Sequence, residues 1–206
     1  MTKRRIFIAI NLPEKLKKRL KEYREQVEPA LLRQGYGGQV RWTKIPSLHL
    51  TLVFIGYVDD EQLLEACKIT RQVAEETEPF FINFKRIITG PKGKESFFAK
   101  ASEDKPRMIW LEGEVNEDLA QLKSRLEKAL LAGNAGLQKA ATRAFSPHLT
   151  LARVKAGEQE ARLNAADVEA NFSAQLDVNS IEVMESDLKF DGAEYATLEE
   201  CPLGVE

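Results

Sequence analysis

Histidine is almost missing from this 206-residue chain, which holds two, and cysteine and tryptophan are equally scarce at two apiece. The two cysteines, Cys67 and Cys201, make no disulfide framework, and a single bridge between them stays open. Long apolar runs are missing too. The run near the start ends at Ile10, too short for the core of a signal peptide. No stretch approaches the ~20 apolar residues of a membrane-spanning helix, so a cytoplasmic protein is expected. There is no excess of one charge: 30 Lys and Arg stand against 32 Asp and Glu, a net charge of −2. That excludes a uniformly basic nucleic-acid coat and leaves room for a local basic groove. Most charges are expected on solvated helix faces. What remains, 43% hydrophobic and 30% charged residues, is the composition of a globular protein. The length suits one domain, or two small lobes around a shared core.

Along the chain, Arg5 to Ile10 alternates and is β-branched, so a strand is expected. Pro13 opens a helix carrying Leu16, Leu20 and Tyr23. The loop Gly35-Tyr-Gly-Gly38 lacks the Lys-Ser/Thr of a phosphate-binding loop. Val40 to Thr43 and Leu48 to Tyr57 read as strands. Asp59 or Asp60 caps a helix running to about Glu78. Phe80 to Thr89 reads as a strand, followed by a turn at Gly90-Pro-Lys-Gly93 and a hairpin return over Ser96 to Ala101. The order then recurs: a strand at Arg107 to Glu112, a helix capped by Asn116 with Leu119, Leu122, Leu126 and Leu130 on one stripe, a glycine-containing loop, and a strand from His148 to Val154. A helix over Glu158 to Ala170 and strands at Phe172 to Val178, Ser180 to Glu185 and Tyr195 to Leu198 complete the reading. This duplicated order predicts an α+β protein of two pseudo-symmetric lobes, each a mainly antiparallel sheet with outer helices, and a cleft between them.

Both histidines open the same tetrapeptide, His49-Leu-Thr-Leu52 and His148-Leu-Thr-Leu151. By residue frequencies, agreement of the Leu-Thr-Leu alone is on the order of one in a thousand by chance. A serine stands two positions before each histidine, Ser47 and Ser146, and a proline precedes each motif, Pro46 and Pro147. On a strand, His49 and Thr51 share a face, as do His148 and Thr150, while the leucines turn to the other. A lone histidine on a strand is ordinarily a core or surface residue; two copies in matching halves are not accounted for that way. With a pseudo-two-fold axis between the halves, two imidazoles and two hydroxyls can line one cleft. In-line opening of a cyclic phosphate wants such a set: one imidazole takes a proton from water, the other gives one to the leaving ribose oxygen, and hydroxyls donate to the non-bridging oxygens. No metal or cofactor is called for. Two distant histidines with no third and no cysteine nearby fall short of a zinc site, and Ser47 and Ser146 lie in no nucleophile elbow.

The doubled motif resembles that of the 2H phosphoesterase superfamily, specifically the bacterial and archaeal RNA 2′,3′-cyclic phosphodiesterases once called 2′-5′ RNA ligases. The matching pieces are Arg5-Ile-Phe-Ile-Ala-Ile with Leu12-Pro13, Arg41-Trp42, Ser47 to Gly56, Phe145 to Arg153, Glu185-Ser-Asp-Leu188 and Tyr195, spread over nearly the whole chain. The resemblance implies a single domain, 1–206, of two intertwined lobes that hydrolyses 2′,3′-cyclic ends to 2′-phosphomonoesters. It implies His49 as proton donor, His148 as proton acceptor and Thr51 and Thr150 as phosphate ligands. It implies that 2′-5′ ligation is related chemistry needing no nucleotide cofactor. Arg153 matches a family arginine that helps hold the substrate, although simple alternation points it away from His148. A bulge that re-aims it, a place at the strand end, or a plain surface role are the alternatives. Phe7 and Trp42 either stack on a base or belong to the core. Arg41 and Lys44 either line the RNA side of the cleft or are surface charges. The loops at 35–38 and 133–141 are longer than the family pattern needs.

The expected partner is RNA with a cyclic end, tRNA halves included, or a cyclic nucleotide, and no membrane. With the cleft inside one chain and no heptad seam, a monomer is expected. Two other readings keep the same site: a 2H enzyme acting on 2′-5′ oligonucleotides or ADP-ribose cyclic phosphate, and a non-catalytic RNA or nucleotide binder.

Overall fold

The computed structural model describes residues 3–36, 38–90, 108–139, 145–154, 168–189 and 192–204. In chain order these form β1 (Arg4–Asn11), α1 (Glu14–Arg33), β2 (Val40–Trp42), a 3₁₀ turn (Ile45–Ser47), β3 (His49–Val58), α2 (Asp60–Glu75), β4 (Phe80–Gly90), β5 (Met108–Gly113), α3 (Glu117–Ala132), β6 (His148–Val154), β7 (Ala170–Val178), β8 (Ser180–Lys189) and β9 (Gly192–Pro202). The fold is α+β, with two sheets ordered β3-β1-β8-β9 and β2-β6-β5-β4-β7. Every described pairing is antiparallel.

The two sheets repeat one plan. Each motif strand, β3 or β6, pairs with β1 or β5, followed by β8 or β4 and then β9 or β7. The halves of the chain do not build separate lobes, however. β4, which closes the first half, joins the sheet of the second motif, and β8 and β9 return to the sheet of the first. The two sheets are joined by chain crossings as well as by a common core.

That core explains the strand faces. Ile6, Ile8 and Ile10 of β1 and Leu50, Leu52, Val53, Ile55 and Val58 of β3 are all buried in it. Ile109 and Leu111 of β5 and Leu149, Leu151 and Ala152 of β6 bury the matching face of the other sheet. Each fully buried large aliphatic contributes roughly 1.5–3 kcal/mol relative to exposure, so a one-residue slip of either motif strand would forfeit several such terms.

The helices form for local reasons and dock by their apolar stripes. Asp59 and Gln62 make a reciprocal capping box at the start of α2, with bonds of 2.9 and 3.1 Å. Asn116 caps α3, accepting from the Leu119 N–H at 2.8 Å and donating to the Phe81 carbonyl at 2.9 Å. The α3 stripe Leu119, Leu122, Leu126 and Leu130 is buried. In α1, Tyr23 reaches the other end of the chain and donates its hydroxyl to the Val168 carbonyl. Burial drives its phenol well above the ordinary range.

Several expectations need revision. The bridge left open between Cys67 and Cys201 is not formed: both cysteines are free, and Cys201 lies buried in β9. Ala170 opens β7 rather than ending a helix, Gly90 ends β4, and β8 and β9 are longer than their sequence patterns indicated. The turn beyond Gly90, the 96–101 hairpin and most of the 158–170 helix lie outside the described residues. No described helix is long and apolar enough to cross a membrane.

Asn116 bridges a helix end and a strand, so Asn116→Ala is expected to cost about 1–2 kcal/mol. The check is the midpoint of urea unfolding, with an unchanged slope. A midpoint equal to the parent's would show that the cap contributes nothing.

Candidate active site

His49 and His148 each occupy the first position of their strands, β3 and β6. The two rings are held identically. Nδ1 of His49 lies 2.8 Å from the Ser47 carbonyl oxygen, and Nδ1 of His148 lies 2.9 Å from that of Ser146. A carbonyl only accepts, so each Nδ1 carries the proton and each Nε2 is left to exchange one. The serines that flanked the motif in sequence therefore act through their backbone. The 3₁₀ turn at Ile45–Ser47 sets the first carbonyl. The second is set by Pro147, whose own carbonyl accepts from the Gly113 N–H at 2.8 Å.

The strand register shows which side chains share the histidine face. On β1, Asn11, Ala9, Phe7 and Arg5 oppose His49, Thr51, Phe54 and Tyr57. On β5, Glu112, Trp110 and Met108 oppose His148, Thr150 and Arg153. Each motif strand carries one extra residue at the same place. Leu52 and Val53 together face Ile8, and Leu151 and Ala152 together face Ile109. All four are buried. These are β-bulges, and each returns the next residue to the open face.

Arg153 is thereby placed on the face of His148 and Thr150, the first of the three alternatives. Arg41 is its Cα partner on β2 and shares that face. Both arginines are exposed, and neither has an ion-pair partner among the described residues. Thr43 ties β2 to the bulge, donating its N–H to the Leu151 carbonyl (2.8 Å) and its hydroxyl to that of Thr150 (2.9 Å). Lys44, exposed on the turn that leads to β3, lies 4.0 Å from Glu194 of β9. The strands β3 and β6 themselves pack against each other, so the two sheets meet at the motifs.

The two aromatic candidates both take packing positions. Trp42 pairs with Ala152, a core-facing residue. Its ring meets Tyr23 edge-on at 6.3 Å with the Arg24 guanidinium over it at 5.7 Å, so it belongs to the α1 packing. Phe7 does share the histidine face but is only 3% exposed. It presents no open surface to a base; it seats His49, with ring centroids 4.9 Å apart. Tyr195 closes on the same imidazole edge-on at 4.9 Å and on Phe7 at 5.4 Å. Met184 and Ala9 complete this small apolar cluster. Burial in it pushes the His49 pKa below its ordinary value, opposed in part by the bond to the Ser47 carbonyl.

His148 has a different seat, Trp110, at 4.7 Å and 42°. Sequence reasoning gave roles to neither Trp110 nor Tyr195, because only strand pairing places them beside the histidines. Trp110 in turn requires Gly90: a Cβ there would sit 2.4 Å from two carbons of the indole. Its Nε1 is buried without a hydrogen-bond partner among the described residues.

A concavity of about 610 Å³, lined by Arg19, Asn83, Lys85, Glu114 and Gln175 among others, contains neither motif. Its polar groups already bind one another, as in Lys85–Glu114 at 3.1 Å and Arg19 to the Ser173 carbonyl at 2.8 Å. They converge on no ligand position. Among the described residues no three His, Cys, Asp or Glu side chains gather as a metal site.

Two antiparallel sheets meeting at twin His-x-Thr strands define the 2H phosphoesterase architecture. The chain belongs to the 2′-5′ RNA ligase superfamily, whose model matches residues 12–189. A Bacillus subtilis protein named RNA 2′,3′-cyclic phosphodiesterase is 30% identical over 153 residues, covering 74% of this chain and 72% of its own. One of the same name from Thermotoga maritima is 29% identical over 198 residues, covering 96% and 94%. Among solved structures, a Thermus thermophilus protein superposes with a TM-score of 0.75 at 25% identity, covering 98% and 99%. E. coli LigT complexed with ATP shares the fold, with a TM-score of 0.69 at 20% identity and the same coverage.

The seats of the two rings are open to separate checks. In an NMR titration of the two histidine ring signals, assigned with His49→Gln, the His49 signal should titrate below about 6.5; a midpoint above it would contradict the burial. Gly90→Ala should displace Trp110 and destabilise the protein by about 1–3 kcal/mol in urea unfolding, whereas an unshifted midpoint would mean that Trp110 does not depend on Gly90.

Proposed function

We propose that this chain hydrolyses RNA 2′,3′-cyclic phosphate ends to 2′-phosphomonoesters by two-histidine acid–base catalysis without a metal ion. The observation that carries the reading is the identical Nδ1–carbonyl anchoring of two imidazoles on strands that pack against each other. The names of the relatives supply the substrate class.

In the reaction, His148 Nε2 accepts a proton from water as the water oxygen bonds to phosphorus. The P–O3′ bond breaks, and His49 Nε2 gives its proton to the departing O3′. The phosphate stays on O2′. Paired transfer of this kind contributes typically 10²–10⁴-fold per group. The Thr51 and Thr150 hydroxyls donate to the non-bridging oxygens, where charge grows in the transition state. Arg153 and Arg41, paired across β2 and β6 on the His148 face, hold phosphate charge. A 5′-hydroxyl taking the place of water gives a 2′-5′ phosphodiester by the same two proton transfers, so ligation of RNA ends, tRNA halves among them, needs no added machinery. The enzyme acts as a monomer in the cytoplasm.

The electrostatics of His49 shape the pH profile. Burial favours its neutral form, while a donor must keep its proton. Activity is lost on the alkaline side as the donor deprotonates and on the acid side as the acceptor protonates. With His49 as donor, the alkaline limb of kcat/KM, which reports the free enzyme, sits lower than an unperturbed imidazole would place it. A depressed acid limb instead would reverse the two roles.

The direct test is turnover of a nucleoside 2′,3′-cyclic phosphate. Wild-type protein should yield the 2′-phosphate in the presence of EDTA. His49→Ala and His148→Ala should each lower kcat by at least about 100-fold while keeping affinity for the 2′-phosphate product. Full activity in either variant, or a 3′-phosphate product, would overturn the mechanism. Binding of the 2′-phosphate by the wild type without turnover would favour the non-catalytic reading. Turnover confined to 2′-5′ oligonucleotides or ADP-ribose cyclic phosphate would favour those substrates.

A further inference from the structure

The two motif strands are identical through Leu52 and Leu151, keep a small apolar residue at Val53 and Ala152, and diverge in chemistry just past the bulge. The position after Val53 is Phe54, and the equivalent position after Ala152 is Arg153. Both occupy the histidine face of their strands. One copy therefore offers a guanidinium and the other an aromatic ring.

Phe54 does not stand alone. A second irregularity in β3 lies between the residues opposite Phe7 and Ile6, and it leaves Tyr57 opposite Arg5. Gly56, at φ +108°, supplies the backbone conformation this needs, one that side-chain-bearing residues rarely adopt. The result is that Phe54 and Tyr57 emerge on the same face as His49 and Thr51. They are 48% and 60% exposed, in contrast to the buried Ile55 and Val58 between and beyond them. The Arg5 guanidinium lies 4.4 Å above the Phe54 ring and is itself held by the Ser186 hydroxyl at 2.9 Å. An exposed aromatic pair with a fixed cation above it, continuous with the histidine face, has the make-up of a single-stranded nucleic-acid platform: rings stack on bases and the cation meets the backbone. On β1, Arg5 and Phe7 stand four to six residues from Asn11, the partner of His49. At ~3.3 Å per residue the strip lies roughly 13–20 Å from the reacting end.

We infer that Phe54, Tyr57 and Arg5 form a stacking strip for bases on the 5′ side of the terminal nucleotide. The strip makes the protein prefer single-stranded RNA ends over cyclic mononucleotides. The inference rests on the phosphoesterase reading above and deepens it. It also orients the substrate: the RNA chain leaves the site along β3 and β1, and the arginines of the other sheet stay with the phosphate.

The test compares an unstructured RNA octamer ending in a 2′,3′-cyclic phosphate with cytidine 2′,3′-cyclic phosphate. Wild type should show a higher kcat/KM on the octamer. Phe54→Ala with Tyr57→Ala should lower the octamer-to-mononucleotide ratio of kcat/KM by about tenfold or more, chiefly through KM. Phe54→Trp should keep the ratio. Both exposed rings can be removed without opening the core, and urea unfolding of each variant checks this. Intact turnover with an unchanged ratio, or no wild-type preference for the octamer, would overturn the strip alone. No turnover of either substrate by wild type would overturn the phosphoesterase reading itself. Equal losses on both substrates would move Phe54 and Tyr57 into support of His49 and also overturn the strip.

Discussion

Burying a leucine on one side of a strand decides where the histidine beside it points. Leu50 and Leu52, and Leu149 and Leu151, lie in the core, and the pleat then leaves His49, Thr51, His148 and Thr150 no choice of face. Hydrophobic packing thus fixes the face each imidazole takes, and the Nδ1–carbonyl bonds add the ring orientation. With Nδ1 bonded on both rings, Nε2 is the nitrogen that the proposed proton transfers use.

The duplication is close in backbone and loose in side chains. Both motif strands carry the same bulge, and both pair with a strand whose alternate residues reach the histidine face. Yet His49 sits among Phe7 and Tyr195, while His148 sits against Trp110 with Glu112 as its cross-strand neighbour. An in-line displacement has two unlike ends, an entering water and a leaving ribose oxygen. A symmetric scaffold with unlike seats fits that requirement better than two identical half-sites would. The same divergence sets Phe54 on one motif strand against Arg153 at the equivalent position of the other.

Much of this was legible in the sequence because it rests on local alternation. The faces of His-x-Thr and the α3 stripe follow from periods of 2 and 3.6, the repeated tetrapeptide is read directly, and the caps, Asn116 and one of Asp59 and Asp60, follow from side-chain type. What was not legible depends on register with a strand distant in sequence. The bulge after Thr150 is set by packing Leu151 and Ala152 together over Ile109, so alternation alone aimed Arg153 the wrong way. The face of Trp42 follows from its pairing with Ala152, not from its own neighbours. Trp110 and Tyr195 come beside the histidines only through pairing and sheet twist, and no spacing rule in one dimension points to them. The placement of β4 in the second sheet is likewise a choice between two possible edges that local pattern does not encode.

The proposed mechanism requires two imidazoles to reach one phosphorus atom from opposite sides. A crystal structure with a uridine–vanadate adduct, which holds five oxygens around the metal in the geometry of the displacement, measures this most directly. The two Nε2 atoms should each lie within about 3.2 Å of a different apical oxygen, with the Thr51 and Thr150 hydroxyls on equatorial ones. An adduct bound elsewhere, or with only one imidazole in reach, would contradict the shared-phosphorus arrangement.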